Sequence, residues 1–319
     1  MSEIWTMGEI LVEIMRSKIG TELYNKGEFL GPFPSGAPAI FIDTVARLRH
    51  TSSIIGGVGA DDFGKCIIER LESDGVDCSY VTAVQGKSTA AAFVTYFEDG
   101  SRKFIFYIDG TPAVLAKSPE ISSTQEPMYF HIMGCSLMSN EKFCKEIIKT
   151  MKKFVKMGAK VSFDPNIRGE LLYGRDINKI VDPVMENCSI LFPGIEELLL
   201  ITSECSIDAA VRKVLSNGKT EIIALKRGSK GCTVFTKDTK FDLGVYSVKP
   251  VDATGAGDCF DAAFLCGLLE NKSLLDCAKL ATAAASLNTA TFGPMEGKIS
   301  IENVNSMIAG ENIPTFIYD

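Results

Sequence analysis

The chain has 319 residues, 46% of them hydrophobic, which is enough to bury a large core as one large α/β domain or two small ones. A net charge of −7 argues against a general surface for nucleic acids or anionic membranes, and no apolar run reaches membrane-spanning length. The ten cysteines include no C-x-x-C pair and the N-terminus has no signal-peptide pattern, so we expect a reduced, cytoplasmic protein. With two histidines, neither a His-rich metal site nor a Ser-His-Asp triad is expected.

The first predicted element is a strand over residues 4–13, where apolar residues alternate and then run together. Glu13 closes this strand with a carboxylate, which by itself indicates a solvated strand end. A turn at Gly36 then leads into a predicted helix, because the apolar residues after it fall on one helical face: Ala37, Ile40, Phe41, Val45 and Leu48.

Residues 53–64 indicate a strand, a Gly-rich turn and the start of a helix that continues to about Asp74. The turn is not G-x-G-x-x-G, so a dinucleotide-binding fold gains no support. Two further strand-like runs, 89–97 and 101–107, join through Asp-Gly and predict a hairpin. A hairpin does not easily join a parallel sheet, so we expect it to lie outside and to pair with residues 10–35.

From residue 128 onward, the pattern alternates between strands (128–133 and 160–163) and helices (140–157). This alternation predicts right-handed crossovers and a parallel sheet, with the ligand at the carboxyl ends of its strands. Residues 164–168, Asp-Pro-Asn-Ile-Arg, follow one such strand. Their carboxylate, amide and guanidinium can converge on a polyhydroxylated or phosphorylated ligand, although a turn would explain the same residues.

Two later strand ends also carry charged residues. Glu197 follows a predicted strand at 190–192 and lies in the first turn of a helix, where acidic residues are common for dipole reasons alone. Lys226 ends a buried strand that begins near residue 221 and runs into a glycine-containing turn. By itself, this lysine is expected to be exposed in the turn.

The most informative stretch is 251–260, which joins a strand-like run at 243–248 to an apolar helix. Thr254 is a suitable N-cap, but the two glycines that follow each cost roughly 1 kcal/mol relative to alanine. A first turn without bulky side chains lets unpaired N–H groups close on an anion, with the helix dipole behind them. Asp258 would then accept a proton from a hydroxyl that attacks a phosphoryl group. Alternatively, Asp252, Thr254 and Asp258 only cap the helix.

These motifs resemble those of the PfkB/ribokinase family of carbohydrate kinases. Residues 254–258, Thr-Gly-Ala-Gly-Asp, resemble its second signature, and residues 58–64 resemble its first, Val-Gly-x-Asp-x-Phe-Gly. The resemblance covers almost the whole chain. It implies a single ribokinase-like α/β domain over 1–319, with three α/β/α layers around a mostly parallel sheet and a discontinuous small β-sheet lid from roughly 10–35 and 88–110.

The resemblance also implies roles for individual residues. The catalytic base would be Asp258, and the amides of Gly255, Ala256 and Gly257 would form the anion hole. Sugar contacts would come from Glu13, Ser35, Gly36, Ala37, Tyr107, Asn166 and Arg168. Nucleotide contacts would come from Lys226, Gly228, Gly231, Thr254, Gly257 and Asn288. Glu197 would order water on a magnesium ion, and Asp252 with loop carbonyls would hold a monovalent cation such as potassium.

The activity that the resemblance implies is ATP-dependent phosphorylation of a primary hydroxyl on a small sugar. Asp-Pro-Asn-x-Arg favours a ketohexose or a 2-keto-3-deoxy sugar acid, as in the 2-keto-3-deoxygluconate kinase and fructokinase-like branch. The sugar would be the partner, without nucleic acid or membrane, and the lid implies a homodimer.

The chain departs from the family pattern at three positions, Ser35, Ile40 and Gly194, where glycine, asparagine and asparagine are usual. These departures leave open a catalytically weak sugar-binding or regulatory protein on the same fold. A nucleoside kinase is a further alternative. A dehydrogenase is a poorer one, because no early G-x-G-x-x-G is present.

Overall fold

The computed structural model describes residues 3–122 and 125–318. Within them, ten strands form a large sheet: β1 Ile4–Met7, β4 Ser52–Gly59, β5 Val81–Val84, β8 Tyr129–Met133, β9 Lys160–Asp164, β10 Cys188–Leu191, β11 Ile222–Lys226, β12 Cys232–Phe235, β13 Lys240–Leu243 and β14 Thr315–Tyr318. The strand order is β14-β13-β12-β11-β10-β9-β8-β1-β4-β5. The strands from β11 to β5 pair in parallel, whereas β12, β13 and β14 pair antiparallel at one edge.

Helices connect and cover these strands: α1 Ala37–Arg47, α2 Asp62–Ser73, α3 Gly134–Ser139, α4 Glu141–Lys156, α5 Gly169–Leu172, α6 Ile177–Met185, α7 Ile195–Thr202, α8 Ile207–Ser216, α9 Ala256–Leu269, α10 Leu274–Thr289 and α11 Ile301–Gly310. Helix α9 packs against both α1 and α10. Helices α3, α4 and α6 pack against one another as a second group. Strands β1 and β8 are buried along their whole length, as expected for a parallel sheet that is covered on both faces.

A separate small sheet forms the lid. Four strands of the described residues build it, in the order β3-β2-β6-β7: β2 Leu11–Arg16, β3 Phe29–Ser35, β6 Ala90–Tyr96 and β7 Arg102–Tyr107. The hairpin β6–β7 pairs with β2 in parallel, as the sequence predicted for residues 89–107 against 10–35. The fold is therefore the mostly parallel α/β architecture with a small β lid that the sequence indicated.

The predicted strand over 4–13 is two strands in different sheets. Strand β1 ends at Met7, the chain turns at Gly8, and β2 starts at Leu11 in the lid. A Cβ at Gly8 would lie 2.2 Å from Cγ of Pro38, so the close approach to α1 requires glycine. Glu13 consequently lies inside a lid strand and not at a strand end. Apolar alternation is the same in both sheets, which is why the pattern did not reveal the break.

Two other sequence predictions were wrong in detail. The strand expected at 243–248 ends at Leu243. Gly244 still donates its N–H to the carbonyl of Pro314, but proline has no N–H to donate back, so the ladder with β14 stops there. The Gly-rich turn expected within 53–64 is part of the buried strand β4, and α2 starts only at Asp62.

No helix among the described residues is long and apolar enough to cross a membrane. The cysteines are free thiols, and most of them are buried in the core, as expected for reduced structural residues.

Candidate active site

A cleft lies between the carboxyl ends of the parallel strands and the inner face of the lid. It holds about 940 Å³ of space free of protein atoms, including open solvent at its mouth. Its walls come from the chain segments after β1, β8, β9, β10 and β11, from the lid, and from the start of α9. The sequence-predicted residues that line it are Glu13, Gly36, Ala37, Asn166, Arg168, Glu197, Lys226, Thr254, Gly255, Gly257 and Asp258.

Asp258 lies in the first turn of α9 and lines the cleft although it is only 7% exposed. Nδ2 of Asn166 donates a hydrogen bond to its Oδ1 at 3.2 Å. Burial raises the pKa of Asp258 to about 7, and the negative charge of Asp164 adds to this shift. The nearby cations Lys226, Arg168 and Arg102 oppose the shift. A carboxyl group that titrates near neutral pH inside a cleft is suited to exchanging a proton with a substrate hydroxyl.

The amides around Asp258 were predicted to form an anion cradle, and most of them are available for it. Gly255 is the N-cap of α9 with φ of 79°, and a Cβ on it would lie 2.5 Å from the carbonyl oxygen of Pro294. Within the described part of the chain, the N–H groups of Gly255, Gly257 and Asp258 have no hydrogen-bond acceptor, whereas Ala256 bonds weakly to the carbonyl of Ala253. Free N–H groups at a helix N-terminus attract an anion.

The alternative that these polar side chains only cap the helix does not fit. The N-cap is Gly255, without a side-chain cap, so Thr254 is not the N-cap that its residue type predicted. The side chain of Thr254 instead bonds to the lid residues Tyr96 and Arg102. Asp258 accepts its hydrogen bond from Asn166 and not from the first turn of its own helix.

Lys226 is mostly buried, with its side chain 18% exposed, and it lines the cleft, so the alternative of an exposed turn lysine is wrong. Its Nζ lies 2.7 Å from Oδ2 of Asp164 and 3.2 Å from Oδ2 of Asp261. Burial lowers the pKa of Lys226, but these two carboxylates outweigh burial, so the pKa is raised and the side chain stays charged. The lysine therefore neutralises acidic groups beneath the cradle.

Two buried glutamates lie at the lid end of the cleft. Glu13 accepts a hydrogen bond at 2.7 Å from Ser35, which is itself fully buried and does not line the cleft. Glu9 accepts hydrogen bonds from Ser136 and from Cys135. Burial raises the pKa of both glutamates. Gly36 and Ala37 form the wall beside them.

The inner face of the lid contributes Arg102, Phe104 and Phe106. Tyr107 is not among the lining residues, since alternation along β7 directs it to the outer face, where it is 61% exposed. The sequence assigned Tyr107 to the sugar, and the structure does not bring it to the cleft.

Glu197 lines the cleft and also holds two loops together. Its Oε1 accepts the N–H of Ile167 at 2.8 Å, and its Oε2 accepts the N–H of Gly194 at 2.7 Å. Burial, with the charge of Asp164, raises the pKa of Glu197. No cluster of three or more His, Cys, Asp or Glu side chains in the described chain could hold a metal ion by itself. Mg²⁺ usually keeps several waters and takes one or two carboxylates with substrate phosphates, so a single carboxylate at Glu197 fits that ion.

The remaining predicted nucleotide and cation residues lie beside the cleft. Asn288 is buried and donates to the carbonyl of Thr254 at 2.6 Å, so it supports the cradle from behind. Gly228 and Gly231 form the turn between β11 and β12 and do not line the cleft. Asp252 accepts hydrogen bonds from Tyr96 O–H, Thr254 N–H and Gly293 N–H. These three bonds leave a carboxylate acceptor site open, and a potassium ion at Asp252 stays a prediction.

Sequence reasoning did not assign roles to several cleft residues. Glu9 is a charge within an otherwise apolar run, which was a usable signal of a buried functional group. The sequence analysis treated Asp164 only as the first residue of the 164–168 motif and gave it no role of its own. Arg102 gave no signal, because a charged residue after a hairpin turn is ordinary.

The fold and the cleft together define a phosphotransferase that acts on an alcohol group of a sugar. The family model described as "pfkB family carbohydrate kinase" matches residues 9–300, and the chain belongs to this family. Fructokinase-2 from Solanum lycopersicum is 30% identical over 277 residues, which cover 86% of this chain and 84% of the relative.

Solved structures show the same similarity. A protein provisionally named Ribokinase II from E. coli has an apo crystal structure that is 36% identical, with a TM-score of 0.88, and the match covers 98% of this chain and 100% of that one. The same protein in complex with ATP and Mg²⁺ matches at 35% identity, with a TM-score of 0.88 and the same coverage. The chain is thus a sugar kinase.

Proposed function

We propose that this enzyme transfers the γ-phosphoryl group of ATP to a primary hydroxyl of a ketohexose, with Asp258 as the general base. The observation that carries this proposal is the position of Asp258, a carboxyl with a pKa of about 7, directly beside unpaired amides at the start of α9. ATP is the donor in our proposal because a similar structure contains ATP and Mg²⁺.

The chemistry follows from this geometry. The ionised carboxylate of Asp258 accepts the proton of the hydroxyl as its oxygen attacks the γ-phosphorus, and the bond to the β-phosphate oxygen breaks as ADP leaves. The amides of Gly255 and Gly257 stabilise negative charge on the transferring group. Asn166 orients the carboxylate through its hydrogen bond.

Two groups supply positive charge to this region. Magnesium, when bound with the nucleotide, neutralises charge on the β- and γ-phosphates, and Glu197 is the residue that we assign to its water shell. Arg168 lines the cleft, and its guanidinium has no hydrogen-bond or ion-pair partner in the described residues. A phosphate oxygen or a substrate carboxylate would satisfy it.

The sugar end of the cleft favours a polyhydroxylated substrate. Oε2 of Glu13 and Oδ1 of Asn166 are buried acceptors that receive no hydrogen bond from the described chain. Such acceptors are costly unless a ligand donates to them, and sugar hydroxyls are donors. The fructokinase relative supports a ketohexose.

A 2-keto-3-deoxy sugar acid is the second candidate. The observation that favours it is the guanidinium of Arg168, which contacts the ring of Phe104 but forms no ion pair with the described residues. We propose a panel of ketohexoses, 2-keto-3-deoxy sugar acids and nucleosides, assayed by coupled detection of ADP. We expect the highest kcat/KM with a ketohexose and no turnover of nucleosides. A sugar acid that surpasses every ketohexose, with its preference lost in Arg168→Gln, would overturn the ketohexose assignment. Absence of sugar-dependent ADP release would overturn the function.

We further propose that the protein forms a homodimer through the outer face of the lid. Ile105 and Tyr107 are exposed there, at 42% and 61%, and they are large hydrophobic side chains on one face of β7. Ile105→Glu should convert the dimer to a monomer in light scattering, whereas Val155→Glu on the exposed side of α4 should not. A monomeric wild-type protein would contradict this assembly.

A further inference from the structure

The lid contacts the loop that precedes α9, and the mechanism proposed for Asp258 does not use this contact. Tyr96 is the last residue of β6, and it pairs directly with Arg102, the first residue of β7. Side chains of such a pair lie on the same face of a sheet. Both reach the loop that precedes α9: the hydroxyl of Tyr96 lies 2.7 Å from Oγ1 of Thr254, and Nη1 of Arg102 lies 3.2 Å from the same atom.

The donors and acceptors of these contacts form a chain in one direction. Arg102 can only donate, so Thr254 accepts from it and is free to donate its own hydroxyl to Tyr96. The hydroxyl of Tyr96 then donates to Oδ1 of Asp252 at 3.0 Å. Each hydroxyl donates once and accepts once, and the chain ends on a carboxylate. This is the only arrangement of the protons that satisfies all three contacts.

Asp252 connects the end of this chain to the cradle. Its Oδ1 also accepts the N–H of Thr254 at 2.9 Å, and its Oδ2 accepts the N–H of Gly293 at 3.0 Å. Thr254 directly precedes Gly255, the N-cap of α9. The position of the lid is therefore linked, through two hydroxyl groups and one carboxylate, to the amides that face the phosphoryl group.

We propose that Tyr96 is a positioning residue for phosphoryl transfer, which holds the anion cradle in its working geometry when the lid covers the sugar. This proposal rests on the proposed function of Asp258 and its cradle. The lid contacts the sugar through Glu13 and the catalytic loop through Tyr96, so one rigid sheet aligns both reactants. A misplacement of the cradle by a fraction of an ångström is sufficient to slow the reaction.

Packing between the lid and the loops does not depend on the tyrosine hydroxyl. The rings of Phe33 and Phe292 lie 5.8 Å apart, and the ring of Tyr96 lies 6.5 Å from that of Phe292. Tyr96→Phe keeps these ring contacts and removes only the link between Thr254 and Asp252. The substitution therefore separates positioning from folding.

The test compares Tyr96→Phe with Tyr24→Phe, the same change at a tyrosine that is 82% exposed. We expect kcat of Tyr96→Phe to fall about tenfold while the KM for the sugar changes less than threefold, and Tyr24→Phe to match the wild type. Hydrogen exchange of the Thr254 amide, which donates to Asp252, should be faster than in the wild type in Tyr96→Phe and unchanged in Tyr24→Phe, both measured without ligand. Thr254→Val should lower kcat similarly, and the double variant should not lower it further.

The proposal is overturned if kcat of Tyr96→Phe stays within twofold of the wild type. It is also overturned if exchange of the Thr254 amide is unchanged in Tyr96→Phe, or if the effects of Tyr96→Phe and Thr254→Val on kcat add independently. An inactive wild-type protein would count against the proposed function. The exchange measurement would then still decide whether Tyr96 holds the cradle, because it needs no turnover.

Discussion

Nδ2 of Asn166 lies 3.2 Å from Oδ1 of Asp258, although the two residues are 92 positions apart in the chain. This bond joins the carboxyl end of β9 to the first turn of α9, and it fixes the orientation of the carboxylate. Oδ1 of Asn166 remains a buried acceptor without a partner in the described residues. One amide side chain can thus orient the base and receive a hydroxyl of the sugar at the same time.

The pKa of Asp258 predicts a pH dependence of catalysis. Because burial and Asp164 raise this pKa to about 7, the carboxyl is protonated and inactive as a base at lower pH. We expect kcat/KM for the sugar to fall about tenfold per pH unit below about pH 7 and to level off above it. In Asp164→Asn, the fall in kcat/KM should begin at a lower pH than in the wild type. A profile that is flat between pH 5.5 and 8 would contradict the assignment.

Gly257→Ala tests why the first turn of α9 is without bulky side chains. The nearest atom to a Cβ at this position is Nζ of Lys226 at 3.5 Å, so the protein itself has room for alanine. Alanine also favours the helix by up to about 1 kcal/mol. We expect an unchanged or higher melting temperature together with at least a tenfold loss of kcat/KM, because the methyl group enters the phosphate site. Full activity would show that no anion approaches this amide.

Glu13→Gln tests the sugar contact. The buried carboxylate has one oxygen on Ser35 and one that is free, and hydrogen bonds to charged groups contribute about 1.5–3 kcal/mol. We expect the KM for the sugar to rise at least tenfold, with the KM for ATP unchanged. Glu22→Gln, on the loop beside the lid, is the matched control. Equal rises in both KM values would indicate a general disturbance of the lid.

Glu197→Gln tests the magnesium assignment. Its carboxylate accepts two backbone N–H groups, so the variant should lose some thermal stability whatever its role in catalysis. If Glu197 also orders waters on the ion, the Mg²⁺ concentration for half-maximal activity should rise several-fold. A lower melting temperature with an unchanged Mg²⁺ requirement would reduce Glu197 to a structural residue.

Much of the site could be predicted because its functional residues lie close together in the sequence, in short motifs. Residues 254–258 and 164–168 each place their functional groups within one strand-to-helix connection, and parallel strands bring such connections to one edge. The mostly parallel sheet could also be predicted, because the alternation of strands and helices is visible along the chain.

The rest depended on contacts between distant segments. The break of the first strand at Gly8 is caused by the approach of Pro38, which no periodicity reveals. The burial of Lys226 is caused by Asp164 and Asp261, which come from two other elements. The position of Tyr107 depended on which face of the lid meets the cleft, and alternation alone is symmetric between the two faces.

Asp258→Asn should not weaken the fold. The pKa of this carboxyl is about 7 in the folded protein and near 3.8 when unfolded, so the folded state binds more protons between these values. The wild type therefore loses stability as pH rises from about 4 to 7, and asparagine does not. We expect the variant to melt at the same temperature as the wild type or higher at pH 8, with the difference shrinking toward pH 4.

The central claim is that Asp258 accepts the proton of the attacking hydroxyl, and the turnover of Asp258→Asn tests it most directly. Coupled detection of ADP with a saturating ketohexose at pH 8 should show kcat at least about a hundredfold below the wild type, in a variant that is folded by its melting curve. Near-normal turnover in that folded variant would contradict the claim.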